Sequence, residues 1–81
     1  MLLHIGDDVV ISKKNIIAIL EMETCNSPIT KEFLEIAEDE GFVEKISESK
    51  ENAFIITTEK IYYSPISCNT LKRRSEKLIG Q

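Results

Sequence analysis

The chain has no tryptophan, one histidine, two cysteines, two prolines and three glycines, and each scarcity narrows what it can be. A single histidine cannot build a His-rich metal cluster, and His4 has no Ser-His-Asp set around it; with no Gly-rich phosphate loop either, an enzyme is not expected, nor a metal or cofactor. His4 sits among apolar neighbours and reads as a structural or surface residue. Cys25 and Cys68 lie far apart, which excludes a C-x-x-C redox pair and a dense disulfide framework and suits two free thiols in a reducing compartment. Long hydrophobic runs are missing as well. Nothing approaches the roughly 20 apolar residues of a membrane span, and Met1-Leu2-Leu3 is interrupted by His4, Gly6, Asp7 and Asp8 before a signal segment can form. A cytoplasmic protein that does not use the membrane is the expectation.

What is present is a folded composition, 42% hydrophobic and 30% charged over 81 residues, enough for one domain spanning 1–81. A chain this short buries only about 60% of its unfolded surface, so self-association is an inexpensive way to add core. The net charge of −4 conceals an asymmetry. Glu21 to Glu51 holds ten acidic residues against three lysines, whereas Lys60 to Gln81 holds five cations against Glu76 alone. An acidic middle and a basic end can present one face to phosphates or pair with copies of the same chain.

Leu2 to Ile5 and Val9 to Ile11 are short apolar runs separated by Gly6-Asp7-Asp8, which predicts a tight hairpin. After the connector Ser12-Lys13-Lys14-Asn15, the β-branched run Ile16 to Leu20 reads as a central strand covered on both faces. Ser27-Pro28 predicts a helix start, with Ser27 as cap; Ile29, Phe33, Ile36 and Ala37 then build one apolar stripe, and Gly41 ends the helix. Glu38-Asp39-Glu40 lacks an Asp-x-Asp-x-Asp-Gly loop and is read as a solvated face. Phe42 to Ile46 predicts a strand, Ser47 to Asn52 a projecting turn, and Ala53 to Thr58 and Ile61 to Ser64 two adjacent antiparallel strands about Glu59-Lys60. Tyr62 and Tyr63 must point to opposite faces. Pro65 stops that strand, and a Ser/Asn/Thr cluster opens a last helix with Cys68, Leu71, Ser75 and Leu78 on one seam. The expected fold is α+β, a small, mostly antiparallel sheet of about five to six short strands with helices over about 28–40 and 69–79, in the order βββαβββα.

Lys72, Arg73 and Arg74 are three consecutive cations in an acidic protein, and Arg73, Arg74 and Lys77 fall on one arc outside the seam. Any affinity for an anion is expected to begin there, with Lys13 and Lys14 at the mouth of their strand as further phosphate contacts. A helix C-terminus favours cations through its dipole alone, so a basic face has a purely structural reading too.

Taken together, Leu3-His4-Ile5-Gly6-Asp7, Val9-Val10, Asn15-Ile16-Ile17-Ala18-Ile19, Ser27-Pro28 and the run from Ile61-Tyr62-Tyr63-Ser64-Pro65-Ile66-Ser67 through Thr70-Leu71-Lys72-Arg73-Arg74 resemble the bacterial RemA and RemB family of extracellular-matrix (biofilm) regulators, the terminal motif being most similar to the RemB branch. The resemblance implies a compact α+β subunit, assembly into ring-like homo-oligomers, and transcription regulation through many weak basic contacts to double-stranded DNA. In the RemA branch, basic residues are expected just before the third strand and in the loop before Phe54-Ile55-Ile56; here those places hold Asn15 and Ser49-Lys50-Glu51-Asn52. The candidate DNA contacts are thus Lys13, Lys14, Lys50, Lys72, Arg73 and Arg74. The alternative is a self-assembling interaction subunit that joins a basic paralogous regulator without touching DNA. RNA binding through Tyr62 or Tyr63 ranks behind both, because neighbouring strands lack aromatic-basic interleaving.

Overall fold

A computed structural model describes residues 1–79, the side chains of Cys25 and of residues 77–79 excepted. Strands β1 (Leu2–Gly6) and β2 (Val9–Ser12) pair antiparallel as the expected hairpin, its turn made by Gly6 and Asp7 with φ of +134° and +47°. A 3-10 turn, Lys13–Asn15, leads into β3 (Ile16–Glu21), and a second, Met22–Asn26, leads into α1 (Pro28–Asp39). β4 (Val43–Lys45), β5 (Ala53–Thr57), β6 (Ile61–Ser64) and α2 (Cys68–Ile79) complete the order.

The strands form two sheets where one was expected: the β1–β2 hairpin, and a four-stranded sheet in the order β3-β5-β6-β4. β3 pairs antiparallel with β5 and β5 with β6, while β4 runs parallel to β6. β3 is therefore an edge strand, and its assignment as the central, doubly covered strand is corrected. Its apolar run signals residues suited to a sheet, but the middle places belong to β5 and β6, and Ile17 stands exposed at a bulge in the β3–β5 ladder. The β5–β6 turn closes without glycine. Thr57 Oγ1 accepts the N–H groups of Glu59 and Lys60 and donates to the Lys60 carbonyl at 2.7 Å.

α1 begins with Pro28 in its first turn, where a missing N–H costs nothing. The Ser27 side chain makes no cap bond; only its carbonyl joins the helix, accepting the Lys31 N–H at 2.9 Å. The other end follows expectation. Gly41, at φ +80°, lets its own N–H reach the Glu38 carbonyl and the Phe42 N–H reach that of Ala37, a Schellman arrangement open to few other residues.

Two apolar clusters lie on opposite faces of the four-stranded sheet. On one, the hairpin (Leu3, Ile5, Ile11) and α2 (Cys68, Leu71) pack over Ala53 and Ile55, with Tyr62 at the margin. On the other, α1 places Leu34 and Ala37 over Phe54, Ile61 and Tyr63. Tyr62 and Tyr63 do diverge to opposite faces. The predicted α1 stripe needs correction: Ala37 is buried, but Ile29 is 82% exposed, Ile36 54% and Phe33 46%, while Leu34 carries the inward face. No helix among the described residues is long and apolar enough to cross a membrane.

Candidate nucleic-acid interface

α2 carries the largest group of candidate cations, and its start is set by Ser67. The Ser67 hydroxyl oxygen accepts the Thr70 N–H at 3.2 Å and donates to Thr70 Oγ1 at 2.9 Å, while its carbonyl takes the Leu71 N–H at 3.0 Å. With Cys68 and Leu71 fixed in the core and Ser75 half-buried, Lys72, Arg73 and Arg74 are exposed. Leu78 and Lys77, placed on the seam and on the basic arc by spacing, lie outside the described side chains.

The three cations are not equivalent. Arg74 Nη1 donates to the His4 carbonyl at 3.2 Å and lies 3.4 Å from His4 Nδ1. His4 Nε2 faces the Asp7 carbonyl, an obligate acceptor, so the hydrogen sits on Nε2 and the Nδ1 lone pair is left to the guanidinium. Arg74 is thereby fastened to the hairpin. The side chains of Lys72 and Arg73 make no hydrogen bond or ion pair among the described residues.

The remaining candidates occupy two other places. Lys13 is half-buried and Lys14 exposed on the turn between β2 and β3. That turn is pinned on both sides, by the Lys13 N–H to the Met1 carbonyl at 2.9 Å and by the Thr58 N–H to the Asn15 carbonyl at 2.9 Å. Lys50 is exposed in the loop before β5 and borders an open cleft of about 360 Å³ at the start of α2, where Glu21, Glu23 and Glu51 also stand. It thus stands among acidic residues beside the first turn of α2. The structure sets Lys72, Arg73 and Arg74 together on α2, with Lys13–Lys14 on the β2–β3 turn and Lys50 in the loop before β5.

A family model described as RemA-like, extracellular matrix regulatory protein A-like, matches residues 2–74. The chain belongs to that family. It is also 36% identical over 76 residues to extracellular matrix regulatory protein B of Bacillus subtilis (strain 168), a match covering 94% of this chain and 91% of that protein.

In this RemA-like chain the segment Tyr62-Tyr63-Ser64-Pro65 serves the fold, with Tyr63 and Ser64 buried and Tyr62 and Pro65 half-buried. Ser64 is fully buried; its hydroxyl donates to the Ile5 carbonyl and accepts the Ile66 N–H at 3.0 Å, tying β6 to the hairpin. Pro65 packs on Gly6 so closely that a Cβ there would come within 3.0 Å of its Cδ. Asn52 secures the same corner, its N–H on the Ser64 carbonyl at 2.9 Å and its side-chain amide on the Pro65 carbonyl at 2.7 Å. Tyr63 donates its hydroxyl to Glu38 at 2.9 Å and so holds α1 to the sheet. Two segments that resemble the family, His4-Ile5-Gly6 and Tyr62-Tyr63-Ser64-Pro65, are therefore partners in one joint. Sequence reasoning missed His4 as the anchor of Arg74, because no local pattern connects residues at opposite ends of a chain.

Proposed function

We propose that this RemA-like chain is a cytoplasmic, oligomeric DNA-binding regulator of the transcription of extracellular-matrix genes, contacting DNA phosphates through basic patches repeated from copy to copy. The observation that carries the reading is the exposed α2 face, where the side chains of Lys72 and Arg73 have no hydrogen bond or ion pair among the described residues, beside an anchored Arg74. Cations not neutralised within the subunit are available to release counterions from a phosphate backbone. One subunit offers few such contacts, and linking copies raises avidity without improving any one of them. Binding of this kind reads spacing and DNA shape more than base edges.

Titration of duplex DNA at several salt concentrations tests it. Affinity should fall steeply with salt, and replacing Lys72 and Arg73 by Ala should weaken binding to all sequences and flatten the salt slope by about one for each phosphate no longer neutralised. Absence of binding at low salt, or indifference to those substitutions, overturns the reading.

A second reading, a co-regulator that self-assembles or joins a basic paralogue without contacting DNA, draws support from the exposed apolar residues of α1 among Glu32, Glu35 and Glu40. It predicts an oligomer with no DNA shift until the partner is added.

A further inference from the structure

We propose that the exposed face of α1 docks onto the outer face of the β1–β2 hairpin of a second copy of this chain, a head-to-tail contact that uses different surfaces on the two partners. The proposal rests on the self-association in the reading above and names the surfaces responsible.

The α1 side is an apolar groove of about 430 Å³, walled by Phe33 and Ile36 of the helix and Phe42 just beyond it, and floored by Ile56 and Ile61. Glu40 and Glu59 stand on its rim. Lys60 is there too, but its ammonium is taken up by Glu44 at 2.9 Å, so the rim remains acidic. The hairpin side follows from strand register. Leu3 pairs with Ile11 and both are buried, so the flanking pairs Leu2–Ser12 and His4–Val10 point outward. Leu2 is 59% exposed and Val10 51%, and the two are diagonal neighbours on that face. Lys13 and Lys14 follow directly, with Lys13 bonded to Met1 through its backbone.

Charge decides among the possible pairings. Two α1 faces brought together would set Glu32, Glu35 and Glu40 against their own copies, and two hairpins joined at their open ends would do the same with Lys13 and Lys14, since Asp7 and Asp8 stand in the turn at the far end. Only the mixed pairing meets acid with base while closing both apolar patches. The two patches also belong to elements on opposite faces of the four-stranded sheet, so a subunit does not close its own groove, and each contact leaves one of either kind free to continue the assembly. In this arrangement Lys13 and Lys14 serve the contact between subunits, and Lys72 and Arg73 are left for an external anion.

Two single variants test this by light scattering, Phe33→Asp blocking the groove and Val10→Asp blocking the hairpin, with Leu2→Asp as a second hairpin block should Val10→Asp fail to fold by circular dichroism. Each folded variant is expected as a single 9.2 kDa chain, and an equimolar mixture of a groove block and a hairpin block should form a species of twice that mass and no larger. A mixture that stays at the mass of one chain overturns the proposal. So do hairpin variants that keep the wild-type mass while Phe33→Asp falls apart, an outcome that leaves the oligomeric regulator standing with a self-paired α1 face. A wild-type chain that is a single subunit at every concentration overturns both the docking and the oligomeric part of the functional reading, while its DNA part is judged separately by the duplex titration.

Discussion

α1 and α2 are both twelve-residue amphipathic helices laid against the same four-stranded sheet from opposite sides, yet each leaves a different surplus at the surface. α2 buries Cys68 and Leu71 beside the hairpin and presents Lys72, Arg73 and Arg74. α1 buries Leu34 and Ala37 and presents Ile29, Phe33 and Ile36. The difference follows from what already fills each side. The sheet, with Leu20, Met22, Val43 and Ile56 around Phe54 and Tyr63, needs only a narrow ridge from α1, whereas the hairpin side requires α2 to complete its cluster. One helix has spare apolar area and the other spare charge, and these are the two surpluses on which the proposed assembly and the proposed anion binding rest.

Truncating one apolar side chain on each helix should separate the two most widely. Leu71→Ala should destabilise by about 2–5 kcal/mol, because a fully buried leucine leaves a cavity. Phe33→Ala, at concentrations where the chain is a single subunit, should change stability by about 0.5 kcal/mol or less. Denaturant midpoints read both. Equal destabilisation would mean that the α1 face is core and not surplus.

Next in size is the joint between hairpin and sheet. Ser64→Ala removes a buried hydroxyl that serves the Ile5 carbonyl and the Ile66 N–H, and should cost about 1–3 kcal/mol. A cost well under that range would show that the hairpin side coheres by apolar contact alone. Smaller still for stability, replacing Lys72 and Arg73 by Ala should leave the midpoint within about 0.5 kcal/mol of wild type. The same change should be plain in the salt dependence of duplex binding. A midpoint that fell with the affinity would assign these cations to the fold.

The hairpin, the helix limits near Pro28 and Gly41, and the divergence of the two tyrosines were legible in the sequence because each depends on neighbours in the chain. The place of β3 was not. An apolar run reports that a segment suits a sheet, while strand order depends on which distant partners win, here β5 and β6 in the middle and β4 alongside β6 in parallel. Periodicity likewise revealed that α1 has apolar residues at Ile29, Phe33 and Ile36, but periodicity is blind to whether the same subunit covers them. Of the site, the basic run Lys72-Arg73-Arg74 was visible as composition. The acidic company of Lys50 and the fastening of Arg74 to His4 required the fold.

The Lys60–Glu44 pair gives the smallest effect and probes the electrostatic side of the contrast between the helices. It links the β5–β6 turn to β4 at 2.9 Å, with both side chains about half exposed. The hydrogen bond and charge of Glu44 hold the Lys60 amine above its ordinary value of 10.5. A raised amine pKa contributes stability that is complete below the unfolded value and disappears as pH rises through the folded one, so the contribution should be present at neutral pH and absent well above 10.5. An exposed pair is nevertheless weakened by solvent and salt, and Glu44→Gln should leave the thermal midpoint at neutral pH near that of wild type. Its clearer consequence lies at the groove. Removing the carboxylate frees the Lys60 ammonium beside Glu40 and Glu59, makes the rim less acidic, and should weaken self-association at low salt while scarcely altering it at high salt. Self-association unchanged at low salt would mean that apolar area alone holds the copies together, and that the acidic surroundings of α1 play no part in choosing its partner.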